Sequence, residues 1–287
     1  MKRSHRHHTG VLIAFLFSVL FFGCDNTIEP IDDSGSEAFA IHGYLDMRIA
    51  RQVVRIEALR PNVLSPPVSL EDVQVSTIES ESGLFQIWKD STVTLNSGEP
   101  GTVYAANFRP ELGRTYRLIV SRNGATGSEA VAKLPAKPPI LVNPPDGDSL
   151  NIKQRIVLQG MTEKPNQIKL SYVVVPPDDS GEQTISVAYG QPGVATSSGW
   201  EFEVDLVRDR IIILNQLGLS VTTKNVEFRN VSMEMSVFSD EWNEPQKEAN
   251  LDNAHGFFGS VGVFEHGWFI DSGFLNTLGF VDGQKRN

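Results

Sequence analysis

The sequence predicts an all-β fold with one or two short helices, and three observations predict it. Past residue 38 the apolar residues recur with a period of two rather than 3.6. The runs are short, rich in β-branched and aromatic residues, and bounded by Gly, Pro, Asn and Ser. Only Arg208 to Gly218 reads as a full helix, so the helical crossovers of a parallel sheet are missing.

In chain order, the first element is a leader, residues 1–23. Lys2, Arg3 and Arg6 form a basic start, and Val11 to Phe22 is then an uncharged apolar run broken only by Ser18. A membrane-spanning helix needs about 20 apolar residues, so this run fits the core of an export signal instead. It ends at Gly23-Cys24, which resembles the lipobox of bacterial lipoproteins, where the cysteine is acylated and becomes the mature N-terminus. Cys24 is the only cysteine of the 287 residues. The expectation is a lipid anchor at Cys24, with multiple acyl chains (palmitate among them) each contributing about 0.8 kcal/mol per buried methylene. A plain secretory signal or short anchor is the alternative.

Residues 24–37 carry Asp25, Glu29, Asp32, Asp33 and Glu37, no basic residue and no apolar period. Such a stretch is a solvated tether. It also resembles the acidic signal that sends some lipoproteins to the cell surface, so a surface position in the outer membrane is expected over a periplasm-facing one.

Residues 38–134 hold the next strands: VQVSTI, TVTL, GTVYAANF and TYRLIVS. Tyr116, Leu118 and Val120 alternate with Arg117, Ile119 and Ser121, and Asn123-Gly124 supplies the positive φ angles of a tight hairpin. About seven strands in this span predict an immunoglobulin-like β-sandwich. Residues 135–149 carry Pro135, Pro138, Pro139, Pro144 and Pro145. Proline lacks the donor a central strand needs, so this reads as an extended connector or edge and as a domain boundary. Strand-like runs resume through 150–287, a second β-rich domain. The Arg208–Gly218 helix opens on ionic residues and Gly218 can cap its end.

Composition removes several function classes. Apolar residues at 40% against 21% charged exclude global disorder. A formal charge of −10 repels phosphate backbones; loss of Lys2, Arg3 and Arg6 with the leader takes it to −13. A single cysteine excludes a disulfide framework and a cysteine-rich zinc site.

Four segments carry a family resemblance: AIHGYLDM after the tether, PVSLEDVQV, GTVYAANFRPELGRTYRLIVSRNG, and DNAHGFFGSVGVFEHGWF near the C-terminus. The chain resembles a domain-of-unknown-function lipoprotein family of Bacteroidota-type bacteria, often encoded beside TonB-dependent outer-membrane receptors. That resemblance spans most of the mature chain and has no catalytic residues to transfer. It implies a non-enzymatic accessory or docking role in the cell envelope.

Several segments that resemble functional sites also have ordinary structural roles. Gly147-Asp148-Ser149-Leu150 with Asp252-Asn253-Ala254-His255 resembles the serine and base blocks of a lipase/esterase family. Ser149 follows a proline turn, however, and the matching oxyanion donors are missing, so an esterase is a distant alternative. His42, His255 and His266 show no metal spacing, and the acidic turns IDDSGSE, PPDGDS and PPDDSGE lack a calcium-loop spacing. Neither a metal nor another cofactor is expected. Trp88, Trp200, Trp242 and Trp268 read as strand filler or as sugar-stacking platforms, which makes a surface glycan-binding module or adhesin the alternative function. Gly256, Gly259, Gly262 and Gly267 interleave Phe257, Phe258, Phe264, Trp268 and Phe269, marking either a central strand with close backbone approaches or a partner-binding patch.

Overall fold

Alternating apolar runs need a partner sheet to bury one face, and the first seven strands supply it to each other. In the computed structural model, which describes residues 39–59, 70–94, 100–178, 180–190, 193–242 and 247–284, they are β1 (Phe39–Asp46), β2 (Arg51–Ala58), β3 (Val73–Glu79), β4 (Phe85–Thr94), β5 (Pro100–Asn107), β6 (Thr115–Arg122) and β7 (Ala125–Lys133). The leader, Cys24 and the acidic tether lie outside the described residues. Hydrogen bonding runs β1-β2-β5-β4 and β4-β3-β6-β7. Lettered A to G, this is the A-B-E-D and C-F-G arrangement of a seven-stranded immunoglobulin-like sandwich. The fourth strand serves both sheets: Phe85 to Trp88 pairs with β3, then Lys89 to Thr94 pairs with β5.

The sequence alternation places side chains as expected. Tyr116, Leu118 and Val120 point into the core with Phe39, Ile41, Val54 and Ile56. Each such aliphatic or Phe side chain stabilises the fold by roughly 1.5–3 kcal/mol relative to exposure. Asn123 (φ 50) and Gly124 (φ 78) form the two-residue turn between β6 and β7. At the start of β6 the Glu111 amide donates to the Tyr116 hydroxyl at 2.9 Å, the tyrosine corner of such sandwiches.

The second half builds another pair of layers. The strands β8 (Ile140–Val142), β9 (Asp146–Asp148), β10 (Asn151–Gln159), β13 (Val194–Thr196) and β14 (Gly199–Asp205) form a five-stranded sheet. Opposite it lie β11 (Pro165–Val175), β12 (Gln183–Tyr189), β15 (Val226–Phe238) and β17 (Ala254–Trp268) in the order β12-β11-β15-β17. Ile156, Leu170, Tyr172, Val204, Phe228 and Met233 fill the space between. The proline segment contributes the short strands β8 and β9 against β10, as suits residues poor in donors.

The sequence predicts one helix in this half. It begins two residues before the expected start, as α1 (Leu206–Gln216), because Asp205 caps it by accepting from the Arg208 amide. Gly218 takes φ +69 just past its end, and Leu219 donates to the Leu214 carbonyl at 2.8 Å, closing a Schellman turn. A second, six-residue helix, α2 (Ser272–Thr277), precedes β18 (Phe280–Asp282).

The longest strand ties the two cores together. Residues 254–261 of β17 run parallel to β1, in register from Phe39↔Ala254 to Asp46↔Val261. Residues 261–268 then pair antiparallel with β15. Phe258 packs in the first core, Phe264 and Trp268 in the second. Most residues of the first core precede the 135–149 segment and most of the second follow it, but Leu251, Ala254 and Phe258 return to the first core and Leu112 packs against the second, and one ladder of backbone bonds continues across both.

Candidate functional site

A strand buried on one face should carry polar groups on the other, and the sheet containing β3, β4, β6 and β7 departs from this. Its outward rows, read from the register, are Ile87–Ser76–Ile119–Glu129 and Phe85–Ile78–Arg117–Val131. Ile87 is 67% exposed, Phe85 53% and neighbouring Leu84 53%. Ile78, Ile119 and Val131, each half-buried, continue the stripe. Arg117 and Glu129 pair across it at 3.7 Å. Exposed apolar side chains gathered on one sheet face mark an interaction surface more often than chance placement does. Beyond β3, residues 85–88 have no second sheet partner among the described residues, and the stripe ends there.

Beside it, where β4 leaves one sheet for the other, a groove of about 780 Å³ opens. Val73, Trp88 and Tyr104 line it, and Glu71, Asp72 and Asp90 give it an acidic rim broken by Lys89. Burial, and then the Asp90 charge, push the Tyr104 hydroxyl above its usual range.

A second polar constellation sits at the start of α1. Asp209 is 1% exposed. Its Oδ2 accepts from the Tyr172 and Tyr189 hydroxyls at 2.5 and 2.6 Å, and Oδ1 accepts from Arg208 Nε and Nη2 at 3.2 and 3.0 Å. The Arg208 guanidinium also lies 4.3 Å over the Tyr189 ring. Burial pushes the Asp209 carboxyl up, against the lowering effect of these donors, and pushes both tyrosines up as well. Tyr189 and Arg208 face a cleft of about 650 Å³ whose ions are paired internally, Arg155 to Glu201 at 2.6 Å among them. Every acceptor position of Asp209 is spent on the protein, so the cluster fastens helix to sheet.

Neither cluster was singled out from sequence. A signal for the first exists in LFQIW, where apolar residues occupy both parities of one strand. Asp209, Tyr172 and Tyr189 have no local signature, being 37 and 20 positions apart.

Ser149 lies in the exposed turn between β9 and β10. Asp252 lies on β16 (Leu251–Asp252) against β7, and His255 on β17, so the two blocks of the esterase pattern occupy different sheets. His255 Nδ1 is 3.1 Å from Glu248 Oε2, and His42 is exposed on β1. His266 stacks on Trp268, where burial and then Lys137 lower its pKa. Among the described residues, no three His, Cys, Asp or Glu side chains surround a possible metal position. Asp146, Asp148 and Asp178 accept from nearby backbone amides, the ordinary work of turn residues.

Each tryptophan N–H finds a partner: Thr77 for Trp88, the Thr162 carbonyl for Trp200, the Ser260 carbonyl for Trp242 and Gln154 for Trp268. Only Trp242 joins an open aromatic cluster, edge-on to Tyr44 (42% exposed) and Phe257. Two of the glycines of β17, Gly256 and Gly259, serve close approach. A β-carbon on Gly256 would stand 2.3 Å from the Ile41 carbonyl oxygen, and one on Gly259 2.8 Å from Trp242 Nε1. No helix of the described residues is long and apolar enough to cross a membrane.

No protein-family model matches the chain, and no curated protein matches it. Among solved structures it is similar to bovine butyrophilin, at 12% identity and a TM-score of 0.22, covering 81% of this chain and 99% of that one. It is also similar to the Yersinia pseudotuberculosis adhesin InvE, at 11% identity and a TM-score of 0.23, covering 82% of this chain and 59% of that one. The strand order, rather than either likeness, identifies the sandwich.

Proposed function

We propose that this is a non-enzymatic lipoprotein of the outer membrane, held by acylated Cys24 and facing the cell surface, that docks onto a membrane protein of the TonB-dependent transporter class. The single observation that carries docking is the apolar stripe of Phe85, Ile87, Ile78 and Ile119 on an outward sheet face. Burying a residue such as Ile87 in a partner contributes roughly 1.5–3 kcal/mol, while leaving it in water gains the free chain nothing. The leader ending at Cys24 and the acidic residues that follow it, read from the sequence, support attachment to a membrane.

Affinity purification of the native complex from membranes, followed by mass spectrometry, tests the reading. An outer-membrane protein should be recovered with the parent chain and depleted with Ile87→Asp; recovery of none with either chain overturns it.

The Tyr44–Trp242–Phe257 cluster supports a second reading, a surface glycan-binding module. A small cleft of about 260 Å³ beside Phe257 carries Asp240, Glu241 and Glu248, the kind of carboxylates that accept from sugar hydroxyls. Glycan-array binding abolished by Trp242→Ala would favour it over docking.

A further inference from the structure

An outer strand presents a row of unpaired backbone donors and acceptors, and natural sheets blunt it by shortness, charge or proline. The outer strands here mostly follow that rule. The strand β16 has two residues, while β13 and β8 have three each. The exception is β12, Gln183–Tyr189, which pairs with β11 along its whole length and has no partner on its other side among the described residues. Its sequence, QTISVAY, has no charge, no proline and no glycine. Ile185 and Val187 point into the core, and Thr184, Ser186 and Ala188 are exposed.

We propose that this edge pairs with the same edge of a second copy, antiparallel about a two-fold axis at Ser186, joining two sheets into one. The charge pattern selects this occupant. The chain is formally −10, so two copies repel wherever carboxylates meet. In the register centred on Ser186 the seven cross-strand pairs run from Gln183 opposite the partner copy's position 189 to Tyr189 opposite its position 183, and none opposes two charges. Ile185 then meets position 187 on the inner face, an apolar β-branched pair, and Thr184 meets position 188 on the outer, a pair without charge repulsion. A foreign strand selected for an anionic protein would bring basic side chains, and 183–189 offers them no carboxylate.

Cysteine cross-linking of the full chain in membranes tests both pairing and register. Directly opposed residues stand about 4.5–5.5 Å apart at Cα, within disulfide reach. Ser186→Cys should give a covalent dimer on mild oxidation. Thr184→Cys should give none by itself, because its copies would lie about 13 Å apart, but it should cross-link to an Ala188→Cys chain. The parent chain, whose single cysteine is Cys24, is the control. Ser186→Lys, which opposes two cations, should abolish the dimer seen by sedimentation in detergent while leaving the melting temperature unchanged. Equal cross-linking at 184 and 186, no cross-linking at 186, capture of a different protein by Ser186→Cys, or an intact Ser186→Lys dimer would each overturn the proposal. None of these outcomes depends on the apolar stripe, which lies on the outward face of β3, β4, β6 and β7.

Discussion

The Trp242 indole lies directly against Gly259: its N–H donates to the Ser260 carbonyl at 3.0 Å, and a β-carbon at 259 would stand 2.8 Å from the same nitrogen. Phe257 Cζ would be closer still, at 2.7 Å. The glycine is the floor on which an aromatic cluster is built. Gly259→Val must displace that indole or bend β17, at a cost of about 1–3 kcal/mol for an overpacked site. Urea unfolding should show the loss, and the tryptophan emission of the folded variant should shift to the red. Gly267, whose nearest neighbours lie at 3.5 Å and beyond, should accept Ala at smaller cost.

The tyrosine corner gives a second test. Tyr116→Phe removes the hydroxyl that accepts from the Glu111 amide and leaves the ring in its core position. A loss of about 1–2 kcal/mol in thermal or urea unfolding is expected, with an unchanged far-ultraviolet spectrum.

Asp209 sets a pH dependence. Asp209→Ala strands the buried Tyr172 hydroxyl and should cost about 2–3 kcal/mol. Because burial raises the folded carboxyl above its ordinary value, the folded state holds this proton more tightly than the unfolded chain. That contribution is fully present below the unfolded pKa of about 4 and is lost as pH rises through the folded pKa. The stability gap between the parent and Asp209→Asn should narrow from acid toward neutral pH. A gap that widens over that range would refute the raised carboxyl.

The outward stripe predicts a dissociation of stability from binding. Ile87→Asp and Phe85→Ser alter exposed positions, so unfolding free energies should stay within about 0.5 kcal/mol of the parent. A large loss of stability would mean the stripe serves the fold.

Membrane attachment is checked at Cys24. The expectation is that labelled fatty acid is incorporated into the parent chain and not into Cys24→Ala, which should leave the membrane fraction after carbonate washing.

Neighbouring residues alone determined much of this protein. The inward turn of Tyr116, Leu118 and Val120, the hairpin at Asn123-Gly124 and the αL stop at Gly218 follow from period, side-chain polarity and the steric freedom of glycine. All are settled within a few residues, which is why they were legible. Tertiary structure decided which strands meet. Nothing near Phe39 names Ala254, 215 positions later, as its parallel partner, and nothing near Trp88 says that β4 changes sheets there. The same holds for Tyr172, Tyr189 and Asp209, each an ordinary residue in its own segment until the fold removes water from among them. Local geometry is fixed by short-range sterics, whereas pairing and burial depend on which distant surfaces exclude solvent together.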